Sequence, residues 1–318
     1  MVDYNQLRQV LEVAAREGGK VHLEVLLSKD IGAQEKFAEK DPVTRADILS
    51  EPVMFDMVKE VFPQGVLIGE EGGATYNLDG NYIIIDSLDC TKSFKRMCER
   101  YEQGRNLNPE DRWGPMIAVY EAGKCIGGVV YNVPRDVMYI ATEETGFERI
   151  GHDLPIQNIN EIGVTATKTR LRRKPPVEKT IFIDNGTHHF NDEEMTELVS
   201  RFKEEFPNNP ISFNNQTCQR GARVFDGVWA GYFHTGVAFH DVCADPILGR
   251  MTNTMVTDHN EVPYYDRDPS DEVWKYNDGR KNVLYSNPVI VAKGDNYDRM
   301  LKVIEPFKEK LDRIQEAA

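Results

Sequence analysis

The chain has 318 residues, with 38 Lys plus Arg against 52 Asp plus Glu, a formal charge of −14. Such acidity argues against binding a nucleic-acid polymer, which needs a basic surface to displace counterions, although an acidic chain can still take up phosphate through divalent metal. With 40% apolar and 28% charged residues and no run near the roughly 18 apolar residues of a membrane span, it reads as one large globular domain or two halves sharing a core.

The first residues, MVDYNQLRQVLEVAAREGG, have no basic start, apolar run or cleavage site, so a cytoplasmic location is expected. Cys90, Cys98, Cys125, Cys218 and Cys243 are odd in number and contain no CxxC, which suits reduced thiols better than disulfides or zinc. The seven histidines form no HExxH spacing, and His188-His189 reads as a loop feature. Carboxylates are therefore the expected ligands of any metal.

Leu7, Val10, Leu11, Ala14, Val21 and Val25 step mostly by threes and fours, which predicts an amphipathic helix from Tyr4 to about Leu27. A second helix runs to about Val61, and Ser50 with Pro52 marks its expected start, because proline fits a helix only in the first turn. Val66 to Ile68 and Tyr82 to Ile85 read as buried strands that end in acids, Glu70-Glu71 and Asp86-Ser87-Leu88-Asp89. Met116 to Tyr120, Cys125 to Asn132 and Val137 to Ala141, separated by turn residues, predict an antiparallel meander.

The basic segment Thr167 to Lys179 is the expected boundary between an N-terminal half, 1–165, and a C-terminal half, 166–318. Beyond it a strand is predicted at Thr180 to Asp184, with helices at Asp192 to Phe206, Ala222 to Ala230 and Asp241 to Met251. A late strand, Val289 to Ala292, and a helix from Tyr297 to about Ile314 close the chain. This alternation implies an α/β half following an antiparallel one.

Asp86-Ser87-Leu88-Asp89-Cys90-Thr91 offers two acids beside a tight turn, followed by backbone N–H groups that can meet a phosphate at a helix start. Asp47, Glu70, Glu71 and Asp241 recur in similar settings. Caps and surface charges explain any one of these segments about as well as chemistry does, but not all of them together.

In these segments, DPVTRAD (41–47), IGEEGG (68–73), IIIDSLDCT (83–91) and HDVCADP (240–246), the sequence resembles the inositol monophosphatase superfamily of metal-dependent phosphatases. The resemblance spans nearly the whole chain and implies a layered αβαβα fold with the site between the halves. It makes Glu70, Asp86 and the Leu88 carbonyl ligands of one Mg²⁺ and Asp86, Asp89 and Asp241 those of a second. A third, weaker ion would lean on Glu70 and Glu71. Thr91 and Asp47 resemble the pair that orients the attacking water, Asp47 accepting through Thr91 or through a water on the ion. The implied reaction is hydrolysis of a phosphomonoester of a small polar metabolite. Bisphosphate nucleotidase and histidinol-phosphatase are the alternatives, and a non-catalytic homologue is a third. Family members often form homodimers.

Several positions depart from the family pattern. Cys90 stands where Gly is usual; it either narrows the phosphate site or, as expected here, holds ordinary dihedrals with its thiol turned aside. Asp245, one turn after Asp241, stands in place of Gly and reads as solvated or capping, with an added metal-shell acid as the alternative. His234 occupies the place of an acid that contacts substrate hydroxyls, and either faces a second anionic group or sits exposed. Lys92, after the hexamer, and Arg220, Gly221 and Ala222 are further candidates for the substrate wall, with Arg223 beside them. Arg96 to Arg112 reads as a polar insertion, a lid or a plain surface loop.

Overall fold

The computed structural model describes residues 2–36, 41–74, 79–105, 112–151, 179–185, 189–213, 221–266 and 287–316. Helix α1 (Tyr4–Ser28) starts at Asp3, whose carboxylate accepts the N–H groups of Asn5 and Gln6, and ends at Lys29 in the left-handed region. A ribbon of β1 (Gln34–Lys36) and β2 (Asp41–Val43) leads into α2 (Arg45–Val61).

Helix α2 begins well before the expected Ser50–Pro52 start, because Thr44 and Asp47 form a reciprocal capping box. Pro52 lies inside the helix on its exposed side, where water can take the carbonyl left without a donor.

Seven strands follow: β3 (Val66–Gly69), β4 (Gly73–Ala74), β5 (Tyr82–Asp89), β6 (Gly114–Glu121), β7 (Lys124–Asn132), β8 (Val137–Thr142) and β9 (Gly146–Gly151). They form one sheet in the order β4-β3-β5-β6-β7-β8-β9. Every pairing is antiparallel except β3 with β5, so the predicted meander is present, lengthened by β9 and joined to one parallel pair. Helix α3 (Thr91–Glu102) leaves the end of β5, so the first residues of the expected insertion, from Arg96, are helix rather than loop; 106–111 lie outside the described residues.

The second sheet has the order β11-β10-β12-β14-β13, from β10 (Ile181–Asp184), β11 (Ile211–Phe213), β12 (Gly231–Val237), β13 (Met255–Thr257) and β14 (Asn287–Ala292). β10 runs parallel to β11 and β12, and β14 antiparallel to β12 and β13. Helices α4 (Asp192–Glu205), α5 (Ala222–Phe225) and α6 (Asp245–Thr252) lie between these strands in sequence, and Asp295–Ile304 and Lys308–Glu316 close the fold. Three predicted helices are shorter than expected. α5 stops before Gly227, which turns at φ 78°. Asp241 sits in a 3-10 turn, His240–Val242, ahead of α6. The closing helix is broken by the 3-10 turn Glu305–Phe307, which carries a proline in its first turn. The expected boundary segment falls almost entirely within 152–178, outside the described residues.

Strand alternation sets the layers. Ile83, Ile85, Ile117 and Val119 pack on Leu7, Leu11, Met54 and Val58 of α1 and α2. The opposite faces, Tyr82, Ile84, Met116 and Ala118, meet α5, α6 and the inner face of the second sheet at Phe182, Tyr232 and Val291. Ile181, Ile183, Phe233 and Ile290 then pack on α4 and the closing helices. The result is the expected αβαβα order, with a middle core to which both sheets contribute.

Candidate metal and phosphate site

The acids converge where β5 ends. In a regular strand Asp86 and Asp89, three residues apart, would point to opposite faces. The pairing with β6 slips here: Asp86 faces Met116 and Asp89 faces Gly114, so three steps on β5 match two on β6. This bulge turns both carboxylates to one side. Asp241 arrives from the 3-10 turn beyond β12, its Oδ2 accepting the Ala238 N–H at 3.2 Å. Asp86, Asp89 and Asp241 each offer a carboxylate oxygen within 4.8 Å of the others.

Asp86 is fully buried. Its Oδ1 accepts the Leu88 N–H at 3.1 Å, and its Oδ2 has no hydrogen-bond partner. Burial, then the charges of Glu70, Asp89, Asp241 and Asp47, push its pKa well above the usual carboxylate range. An orphaned buried oxygen amid like charges is the environment a divalent cation relieves, and an all-oxygen donor set suits Mg²⁺. His240, buried, places Nε2 3.4 Å from Asp241 Oδ1 and 3.8 Å from Glu70 Oε2, and so joins Glu70 to the cluster.

Asp47 is tied down from two sides. Its Oδ2 accepts the Thr44 N–H at 2.7 Å and the Thr44 hydroxyl at 2.6 Å; its Oδ1 lies 3.0 Å from Thr91 Oγ1. That hydroxyl also lies 2.9 Å from the Leu88 carbonyl, and its single proton serves one of the two acceptors. One side chain thus closes the capping box with Oδ2 and meets the Thr91 hydroxyl with Oδ1.

Cys90 departs from expectation. It takes φ 68° and ψ 42°, the left-handed region that glycine occupies without strain, and α3 starts with no side-chain cap. The tight turn from Asp89 into α3 dictates the backbone, and the side chain accepts it at about 1–2 kcal/mol. Cys90→Gly should therefore raise the unfolding free energy by about 0.5–1 kcal/mol after the extra chain entropy of Gly is subtracted, read as a higher Tm. A lower Tm would mean that packing of the thiol outweighs the strain.

Asp245 is neither solvated nor capping. It is fully buried at the first position of α6, neither carboxylate oxygen has a hydrogen-bond partner, and burial with the nearby charge of Asp89 raises its pKa well above normal. His234 is buried in β12, not exposed: its Nδ1 accepts the Gly236 N–H at 3.0 Å and its Nε2 lies 3.9 Å from Asp184 Oδ1. Burial pushes its pKa down to about 3, so it is neutral at ordinary pH. Lys92 is exposed on α3, Gly221 precedes α5, Ala222 is buried within it, and Arg220 lies outside the described residues. Arg112 and Arg223, both buried, place their guanidinium carbons 5.9 and 5.7 Å from the Trp229 ring centroid. Sequence reasoning had not singled out His240 or Glu51.

Two mixed sheets layered with helices, and a largely buried carboxylate cluster at the end of β5, define a layered αβαβα protein. The chain belongs to the Inositol monophosphatase family, whose pattern matches residues 3–301. It is similar to the inositol-1-monophosphatase of Bacillus subtilis, 26% identical over 46% of this chain and 51% of that protein. It is also similar to 3'(2'),5'-bisphosphate nucleotidase CysQ of Escherichia coli, 29% identical over 43% of this chain and 52% of that one. The chain thus spans about half the length of these two curated relatives. The Nus factor SuhB of Pasteurella multocida is 23% identical over 80% of this chain and 86% of its own. Staphylococcal inositol monophosphatase-1 shares the fold, with a TM-score of 0.65 at 15% identity over 96% of each chain.

Proposed function

We propose that this protein is a Mg²⁺-dependent phosphatase that hydrolyses a phosphomonoester of a small polar metabolite. The convergence of Asp86, Asp89 and Asp241 around the orphaned Asp86 oxygen carries this reading. Glu70, Asp86 and the Leu88 carbonyl would hold one ion, Asp86, Asp89 and Asp241 a second, and Glu71 would assist a third. Bound there, the metal supplies charge neutralisation at the phosphoryl group and acidifies a water. Asp47, anchored by Thr44, accepts a hydrogen bond from the Thr91 hydroxyl, which leaves the Thr91 oxygen to accept one from the attacking water and orient it. The start of α3 at Cys90 and Thr91 would meet the phosphate. Arg220, Gly221 and Ala222 would line the alcohol side. His234, buried with its Nε2 3.9 Å from Asp184 Oδ1, would shape that wall rather than bind a second anion.

The N-terminal half, 1–165, would carry most of the acids and the C-terminal half, 166–318, the last one, in a cytoplasmic homodimer. No described helix is long and apolar enough to cross a membrane. The second reading, a 3'(2'),5'-bisphosphate nucleotidase, draws support from the likeness to CysQ and from exposed Lys92 beside the hexamer.

The test is phosphate release from inositol, sugar, histidinol and bisphosphorylated nucleotide substrates, with Mg²⁺ and after chelation. Release that disappears on chelation is expected. Clear preference for the bisphosphorylated nucleotide selects the second reading. No metal-dependent release from any substrate sinks both.

A further inference from the structure

The motif IGEEGG sets its two acids between glycines, and the structure gives a reason that is not conformational freedom. Neither Gly69 nor Gly72 has a positive φ. Both are instead pressed by Glu51, a buried carboxylate on α2 one helical turn after Asp47. Glu51 Oε2 accepts the Glu71 N–H at 3.0 Å, and Oε1 accepts the Gly72 N–H at 2.6 Å. A methyl group on Gly69 would lie 2.7 Å from Oε1 and overlap the rest of the carboxylate; one on Gly72 would overlap Oε1. The glycines are the cradle that lets the carboxylate reach the turn.

We propose that Glu51 is a positioning residue of the metal centre: it clamps the two N–H groups that follow Glu70, and so sets the place of the Glu70 carboxylate relative to Asp86. This rests on the metal-site reading above. From the other side, the Glu70 N–H donates to the Ile85 carbonyl at 3.3 Å, so the Glu70 backbone is held between β5 and α2. The clamp needs a carboxylate. Two N–H donors approach two different oxygens, and a glutamine would supply one acceptor and turn its amide N–H against the other donor. Helix α2 thereby delivers both Asp47 and the support of Glu70, which couples the two sides of the site through one rigid element.

The test is binding of Mn²⁺ alone, by calorimetry or by its electron paramagnetic resonance, to the full chain and to Glu51→Gln, Glu51→Ala, Gly72→Ala, the double variant Glu51→Ala/Gly72→Ala, and Asp89→Asn. Removing the support is expected to weaken metal affinity about 10–100-fold, as for other outer partners of metal ligands. In turnover assays the metal concentration giving half activity should rise, with kcat recovered at saturating metal. Gly72→Ala should mimic Glu51→Ala by displacing the carboxylate, and the double variant should be no worse than either, because both act on one contact. Unchanged Mn²⁺ affinity in folded Glu51→Ala or Glu51→Gln, or penalties that add in the double variant, would overturn the proposal. If Glu51→Ala does not fold, Glu51→Gln and Gly72→Ala decide it on the same terms. If the parent chain binds Mn²⁺ no better than Asp89→Asn does, the metal-site reading itself has failed, an outcome distinct from the loss of Glu51's role alone.

Discussion

Asp89→Asn is expected to lower metal-dependent phosphate release by roughly a thousandfold or more while making the metal-free protein more stable. The first effect follows because a bound metal supplies several kcal/mol of charge stabilisation at the phosphoryl group, and each 1.36 kcal/mol is about tenfold in rate. The second follows from the site itself, where Asp86 is buried beside Glu70, Asp89, Asp241 and Asp47 with one oxygen unpartnered. Neutralising one of these neighbours removes a repulsion of about 1–3 kcal/mol.

The pH dependence has a definite sign. Because Asp86 has its pKa raised in the fold, its contribution to metal-free stability is complete below the ordinary carboxylate value and is lost as pH rises through the raised one. Saturating Mg²⁺, which requires the ionised form, should remove that loss and raise Tm most at high pH. Thermal unfolding of the parent and Asp89→Asn chains, with Mg²⁺ and with chelator, checks each part. A metal-free Asp89→Asn protein less stable than the parent would contradict the electrostatic picture.

Thr91→Val and Asp47→Asn should each lower kcat by about 100- to 10,000-fold, the range for a positioned proton acceptor, yet differ in stability. Asp47 accepts two bonds from Thr44 on Oδ2 and faces Thr91 with Oδ1. An amide there disturbs the capping box and should cost about 1 kcal/mol or more. Valine at 91 removes the hydroxyl but leaves the cap intact. If the two groups act on one water, as proposed, the double variant should be little slower than either single one. Additive losses in kcat would separate their roles.

Much of the fold was legible because its signals are local. The heptad-like spacing in α1, the apolar run of β5 and the turn residues of the meander report periodicity, which neighbours in sequence determine. Breaks in helices were less legible. Pro52 suggested a start that the Thr44–Asp47 box overrides, and the run after Asp241 hides a 3-10 turn within a helical pattern.

The sequence by itself determined the inventory: which carboxylates exist, that they stand at element ends, and that an acidic chain of this pattern resembles one family. Only the tertiary structure decided which of them meet. The β5 bulge that turns Asp86 and Asp89 to one side depends on the pairing with β6, and the left-handed turn at Cys90 on the path from Asp89 into α3. Glu51 reaches the Glu71 and Gly72 N–H groups across 20 and 21 residues, and Asp245 is sealed from solvent where the sequence favoured a solvated or capping acid over one in the metal shell. These are properties of register and burial, set by long-range packing rather than by neighbouring residues along the chain.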